Sequence, residues 1–247
     1  MNVERAAILA GGNGTRLLPL TKYTNKHLLP IYDKFMVFYA IEALKSLGTK
    51  NICVVTGMKH VTEFQRILSD GREFGVQIEY RTQEKALGLA DALGMTEGYF
   101  GSNKVVVILG DALFKKVSIP KVALEDKNAY VVATDYTDKI GINPKSVGIA
   151  EIDSTGKVLH ITEKPQHPKS TMMIAGFYIF PNDCYDYIKK MKPSGRGEYE
   201  ITDIHNWYAD QGRLRTLNDV EFVGDAGGLD SLLDMSIWRR NIIKGGD

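Results

Sequence analysis

Two stretches near the amino terminus hold the residues best suited to chemistry. In Leu9-Ala-Gly-Gly-Asn-Gly-Thr-Arg-Leu17, three glycines fall within four residues, followed by Thr15 and Arg16. Without side chains, their backbone N–H groups can turn inward and approach a phosphate closely. Arg16 would close such a loop with a positive charge, although a plain structural turn has the same composition. Two other phosphate loops do not fit. A Gly-x-x-x-x-Gly-Lys-Ser/Thr loop is absent, and a Gly-x-Gly-x-x-Gly fingerprint needs glycine at position 17, where Leu17 stands. The second stretch is Asn25-Lys-His-Leu-Leu-Pro-Ile-Tyr-Asp33. Lys26 taken alone could be a solvated surface lysine. It shares one long connection with Arg16, however, and that places both cations at one sheet edge, able to face the same phosphates.

Two acids follow strand-like runs. Asp111 lies in Leu109-Gly-Asp-Ala112 and Asp225 in Phe222-Val-Gly-Asp-Ala226. Each alone fits a turn or a helix cap equally well. Two carboxylates at different strand ends, both facing a glycine loop, would form a one-metal phosphate site. Further polar pieces are Gln83 with Gly88-Leu-Ala90, Glu163-Lys-Pro165 and Gly195-Arg-Gly-Glu-Tyr-Glu-Ile-Thr-Asp203. Glu198 and Glu200 could bind sugar hydroxyls or cap a helix at Asp203. The five histidines, His27, His60, His160, His167 and His205, have no metal spacing and read as solvated or structural. Cys53 and Cys184 lie in no metal or redox motif and read as reduced structural thiols.

The elements that must position these residues alternate between strand and helix. Ala6 to Ala10, Ile52 to Val55 and Val105 to Leu109 are continuous apolar runs, as in strands covered on both faces. Phe35 to Leu47 and Val61 to Leu68 have helical spacing, each with a glycine beyond its end. Gln77 to Arg81 alternates like a strand, and Leu87 to Gly94 resembles a helix start. This order predicts βαβ units and a mostly parallel sheet. The second half offers short strands at Tyr130–Thr134, Gly148–Ile152, Lys157–Thr162 and Ala175–Phe180. A hairpin is expected about Ser154-Thr-Gly156. Helices are expected at Pro181–Lys190, Asp203–Asp210 and Leu229–Lys244. In the last, Leu229, Leu232, Leu233, Ser236, Ile237 and Arg240 form one stripe.

The 247 residues, 44% of them hydrophobic, suffice for a self-standing core. No linker or repeat divides them, so one domain over 1–247 is expected. A formal net charge of +1 gives no global basic field for nucleic acid or an acidic membrane surface. No apolar stretch approaches the roughly 20 residues of a membrane span, and no signal-peptide core follows Met1. A cytoplasmic protein is expected.

Together these motifs resemble the sugar-1-phosphate nucleotidylyltransferases, over nearly the whole chain and in the family's order. The thymidylyltransferase branch in its short form, without an extended C-terminal region, is the closer match. The stretches Gly11–Asp33 and Ser194–Ile204 carry the resemblance most specifically. It implies an α/β fold with a Rossmann-like, mostly parallel central sheet, helices on both faces and a small sugar-binding β-rich insertion. The nucleotide half would run over about 1–112, the sugar half over about 113–228 and a C-terminal helix over about 229–244. The resemblance implies that Gly11, Gly12 and Gly14 wrap the triphosphate, with Leu9 and Thr15 beside them. Arg16 and Lys26 would bind the reacting phosphates, and Gln83 and Gly88 the base. Asp111 and Asp225 would hold Mg²⁺, with Asp111 counted among the catalytic groups. Gly148, Glu163, Gly176 and Glu198 would line the sugar side, with Lys164 on the sugar phosphate.

The reaction implied joins a nucleoside triphosphate, dTTP first, to a sugar-1-phosphate and releases pyrophosphate. UTP is the near alternative. A nucleotide-sugar-binding regulatory protein without turnover is the alternative outside enzymology. A homo-oligomer is expected, with no nucleic-acid or membrane partner. Four positions depart from the family's usual pattern: Ala112 replaces an amide, Val147 an aromatic and Asp91 a glutamine, and Gly224 stands in the run before the second acid. Asp91 lies in the base-side loop, and most of the other changes lie where the family touches sugar, which implies a roomier or differently polar sugar pocket, open to an amino-, deoxy- or heptose phosphate besides glucose-1-phosphate.

Overall fold

A computed structural model describes residues 3–245. The chain runs through β1 (Arg5–Ala10), a short hairpin of β2 (Pro30–Ile31) and β3 (Lys34–Phe35), α1 (Met36–Ser46), β4 (Asn51–Gly57), α2 (Val61–Leu68), β5 (Gln77–Gln83), α3 (Leu89–Gly94) and β6 (Val105–Leu109). It continues through β7 (Ala112–Val117), α4 (Lys121–Glu125), β8 (Ala129–Asp135), β9 (Gly148–Ile152), β10 (Val158–Glu163), β11 (Met172–Phe180), α5 (Cys184–Ile188), α6 (Ile201–Asp210), β12 (Leu214–Leu217), β13 (Val220–Asp225) and α7 (Leu229–Ile243).

Among the described residues, nine strands form the main sheet, in the order β10-β9-β11-β6-β1-β4-β5, with β8 on β11 and β12 on β8. The strands β6, β1, β4 and β5 are mutually parallel. β11 runs antiparallel to β6, β8 and β9 and begins the second half of the sheet. In the parallel half, side chains alternate between two cores with the period of two that a strand imposes. Ala6, Ile8 and Ala10 enter one core with Ile52, Val54, Val106 and Ile108. Ala7 and Leu9 enter the other with Cys53, Val55, Val105 and Val107. α1 and α2 cover the first face through Ile41, Leu44 and Phe64. α3, α5 and α6 cover the second through Leu93, Tyr185, Ile204 and Tyr208. Two covered faces explain why these strands are apolar throughout rather than alternating.

Both cysteines are buried and free, and burial pushes the Cys53 thiol up to about 12, as inert core thiols require. The expected hairpin joins β9 and β10, and its turn is built by Asp153 Oδ1, which accepts from the N–H groups of Thr155 and Lys157. β7 and β13 form a separate antiparallel ribbon in which Asp225 pairs with Ala112. The last helix turns only the Leu232 edge of its sequence stripe inward. Leu229, Leu233 and Ile237 are 47%, 60% and 39% exposed, whereas Ser231 and Met235 are buried. Met235 packs with Ile31, Met36, Tyr39, Leu113 and Ala226. No helix among the described residues is long and apolar enough to cross a membrane.

Candidate active site

The parallel strands β1, β4, β5 and β6 end together, since Ala10 pairs with Thr56, Thr56 with Thr82, and Leu9 with Leu109. A crevice of about 440 Å³ opens along these carboxyl ends, where α/β sheets bind ligands. The loop after β1 forms one wall. Gly14 adopts φ 63°, and a side chain there would strike the Lys26 stem and Thr21, each 2.9 Å away. Lys26 begins a single helical turn whose Asn25 cap accepts from the His27 N–H and donates from Nδ2 to Ala10 O at 3.1 Å. The cation-bearing loop is thereby fastened to the end of β1. His27 is held neutral by burial and by Lys26, with its pKa lowered to about 3, and is structural.

Lys26 Nζ donates to Asp111 Oδ2. Burial alone would push the ammonium toward its neutral form, but Asp111 and Asp225 outweigh burial and hold it above its usual value. Asp111 is likewise held below the usual carboxylate range, because Lys26 prevails over burial. Asp225 is different. Burial first, and the neighbouring Asp111 second, raise it to about 6. The β7–β13 register and the bond from Ala226 N to Asp111 O bring these two acids together. The Arg16 guanidinium lies on the Asp225 side, close to Gly227, where a Cβ would meet Arg16 Nη2 at 2.8 Å and Asp225 Oδ1 at 2.5 Å.

This donor set fits a divalent cation held partly by substrate. Among the described residues no group of three or more His, Cys, Asp or Glu could hold a metal without other ligands. Two adjoining carboxylates, the buried Asp111 and the half-buried Asp225, raise each other's need for positive charge, and burial with Asp111 makes Asp225 harder to ionise. Mg²⁺ commonly takes one or two carboxylates and completes its shell with phosphate oxygens and water.

The opposite wall belongs to the antiparallel half. Gly148 at the start of β9 pairs with Glu163 at the end of β10. Glu163 Oε2 accepts from Thr202 Oγ1, and Lys164 Nζ lies 3.3 Å from Glu163 Oε1. Lys164 has φ 47°, an uncommon backbone for a residue with a side chain. Gly176 lies against the Leu109 side chain, where a Cβ would be 2.8 Å from Leu109 Cβ. Glu200 stands at the start of α6 but does not cap it. Its Oε1 accepts from Ser194 Oγ at 2.7 Å and pairs with Arg196 at 2.8 Å.

Every sequence-predicted site residue lines this one crevice: Leu9 to Arg16 through its named members, Lys26, Gln83, Gly88, Asp111, Gly148, Glu163, Lys164, Gly176, Glu198 and Asp225. Thr202, Tyr178 and His205 line it as well and were not singled out as site residues. Thr202 stands in a motif whose acids drew the attention, and Tyr178 lies in an apolar strand. Only their tertiary neighbours mark them. Ala112 and Val147, two of the departures, are also in the lining. Gly224 is explained by the fold, since a Cβ there would lie 2.3 Å from Ile140 O.

The family model described as Nucleotidyl transferase matches residues 5–238. The glucose-1-phosphate thymidylyltransferase of Neisseria gonorrhoeae is 38% identical over 210 residues, covering 85% of this chain and 73% of the relative. That of Mycobacterium tuberculosis (strain ATCC 25618 / H37Rv) is 36% identical over 245 residues, covering 96% and 83%. A solved structure from Bacillus anthracis, described as a glucose-1-phosphate thymidylyltransferase in complex with a sucrose, superimposes with a TM-score of 0.83 at 37% identity over 96% of both chains. A UDP-glucose pyrophosphorylase complexed with UDP-glucose superimposes at 0.79 with 23% identity over 98% of this chain and 100% of the other, a likeness of fold.

Proposed function

The chain belongs to the nucleotidyl transferase family, and from that premise we propose that it transfers a nucleoside monophosphate, thymidylate first, from the triphosphate to a sugar-1-phosphate such as glucose-1-phosphate. The observation that carries this reading is Lys26, half-buried between a glycine loop and two carboxylates in a crevice that also holds Lys164 and Glu163. An oxygen of the sugar phosphate attacks the α-phosphorus of the triphosphate. The bond to the bridging oxygen of the β-phosphate breaks, and pyrophosphate leaves. The nucleophile is already an anion, so no general base is needed. The barrier lies in bringing two polyanions together, and positioning with charge neutralisation lowers it.

In this reading the loop at Gly11, Gly12 and Gly14 wraps the triphosphate, with Leu9 and Thr15 alongside, and Gln83 and Gly88 meet the base. Arg16 and Lys26 neutralise the reacting phosphates. Lys164 holds the sugar phosphate, while Gly148, Glu163, Gly176 and Glu198 shape the sugar side. Asp111 and Asp225 would hold Mg²⁺, which when bound supplies the positive charge that draws the two phosphates together. The nucleotide half over about 1–112 and the sugar half over about 113–228 then work as one domain. The test is a pyrophosphate-release screen of nucleoside triphosphates against a panel of sugar-1-phosphates, with and without Mg²⁺. Turnover that requires the cation and is highest with dTTP or UTP is expected. Absence of turnover with every pair, together with tight nucleotide-sugar binding, would identify a regulatory protein instead.

A further inference from the structure

One polar side chain in the crevice has its orientation fixed from behind. Gln83 closes β5 and is 4% exposed. Its Nε2 donates to Asp91 Oδ2 at 2.7 Å and to Gly88 O at 3.2 Å. A carboxylate and a carbonyl only accept, so the NH₂ end of the amide must face them. Oε1 then lies against Gly11, where a Cβ would be 2.4 Å away. Among the described residues this oxygen accepts no hydrogen bond. The crevice therefore meets Gln83 as an acceptor.

The two contacts that set this orientation are unequal. Gly88 O is the longer partner and is shared, since it also accepts from Ala92 N. Asp91 is the shorter partner and carries charge, and charge-assisted hydrogen bonds are roughly twice as strong as neutral ones. Asp91 sits on α3 behind the lining and takes no part in it. We propose that Asp91 is a positioning residue for base selection: by taking the Gln83 amide hydrogens it presents a fixed acceptor to the nucleobase. A uracil or thymine ring offers an N3–H to such an acceptor. Cytosine at the same place offers an N3 lone pair, and two acceptors face each other. The methyl group of thymine plays no part, so dTTP and UTP are affected alike. This inference rests on the reading above that Gln83 meets the base.

The test compares the full chain with its Asp91→Asn variant. Asparagine keeps the shape of the side chain and offers both a donor and an acceptor, so the Gln83 amide is free to turn over. Initial rates with glucose-1-phosphate and equilibrium binding are measured in parallel for dTTP, UTP and CTP. In the variant, KM and Kd for dTTP and UTP rise by about 3–10-fold, the width a charged-to-neutral hydrogen bond change allows. Those for CTP fall, so the preference for dTTP over CTP drops about tenfold or more, while kcat with dTTP stays within about twofold. An unchanged preference, or an equal loss for all three nucleotides, overturns the proposal. So does a wild-type protein that does not distinguish dTTP from CTP. If the wild type binds dTTP selectively yet releases no pyrophosphate, the transferase reading fails, and the binding ratios still decide the role of Asp91.

Discussion

Lys26 keeps its charge in a place where burial alone would remove it, because Asp111 and Asp225 stand beside it. A cation so placed is preorganised to meet charge that develops on a phosphate, and loss of one such donor elsewhere removes about 10²–10³ in rate. Lys26→Ala should therefore lower turnover in the pyrophosphate-release assay by about that factor, and near-normal turnover would exclude Lys26 from the chemistry. Asp225 titrates in the unusual direction. Its folded value of about 6 lies above the ordinary 3.8, so between those pH values the folded chain binds more protons than the unfolded one. Stability from this group falls as pH rises through that window. A divalent cation that needs the ionised carboxylate should offset this loss above about pH 6. Addition of Mg²⁺ is expected to raise Tm at pH 7–8, with the gain shrinking as pH falls below about 6 and absent in Asp225→Asn. A gain independent of pH and of Asp225 would place the cation elsewhere. Asp111 and Asp225 were legible in the sequence because each stands at or just past the end of a strand, and Lys26 because it shares the connection after β1 with Arg16. Thr202 was not, since its partner Glu163 is 39 positions away.

α1, α2, β1, β4 and β6 were legible because local pattern and tertiary role agree in them: a strand covered twice is apolar throughout, and a one-faced helix is periodic. β7 and β12 were missed for the opposite reason. β7 carries the exposed Lys115 and Lys116 and gains its pairing from β13, about a hundred residues on. β12 has four residues and is fixed by β8. α7 shows how pattern can mislead: Leu229, Leu233 and Ile237 of its apolar stripe face out, and the face that packs does so through Met235 with Leu232 and Trp238 beside it. That packing has consequences for the site. Met235 lies in the cluster with Ala226, next to Asp225, while Arg239 grips both oxygens of Asp33 at 2.9 and 3.1 Å in the β2–β3 turn that follows the Lys26 segment. Met235→Ala should cost about 2–5 kcal/mol in urea unfolding, as core truncations do. Leu233→Ala, on the stripe that looked like the buried one, should change stability by less than about 0.5 kcal/mol. The reverse ranking would mean that α7 docks by its sequence stripe in solution.

Over the whole molecule, a net charge of +1 hides a local arrangement in which Arg16, Lys26 and Lys164 share a crevice with five carboxylates, Asp111, Asp225, Glu163, Glu198 and Glu200. The parallel half brings the glycine loop and Gln83, and the antiparallel half brings Gly148, Glu163 and Lys164. The two halves meet across the sheet where β6 pairs with β11, and they are joined again above it. Tyr199 N donates to Leu87 O at 2.7 Å, and Ala90 N donates to Tyr199 O at 3.0 Å. Gly88 sits inside that junction with φ 108°, and a Cβ would come within 2.5 Å of Tyr199 O and 2.8 Å of its N. Backbone meets backbone there, so no side chain can swing aside. Gly88→Ala must separate the two loops, and we expect a loss of about 2–3 kcal/mol, a fall in Tm of roughly 5–10 °C, and a rise in KM for nucleotide and sugar phosphate together. Gly98 supplies the control. It also has positive φ, 80°, but its Cβ would meet nothing within 4 Å, so Gly98→Ala carries only backbone strain of about 1 kcal/mol and should leave both KM values unchanged. If the two variants behaved alike in thermal unfolding and kinetics, the junction at Tyr199 would not be what holds the halves of the crevice in register.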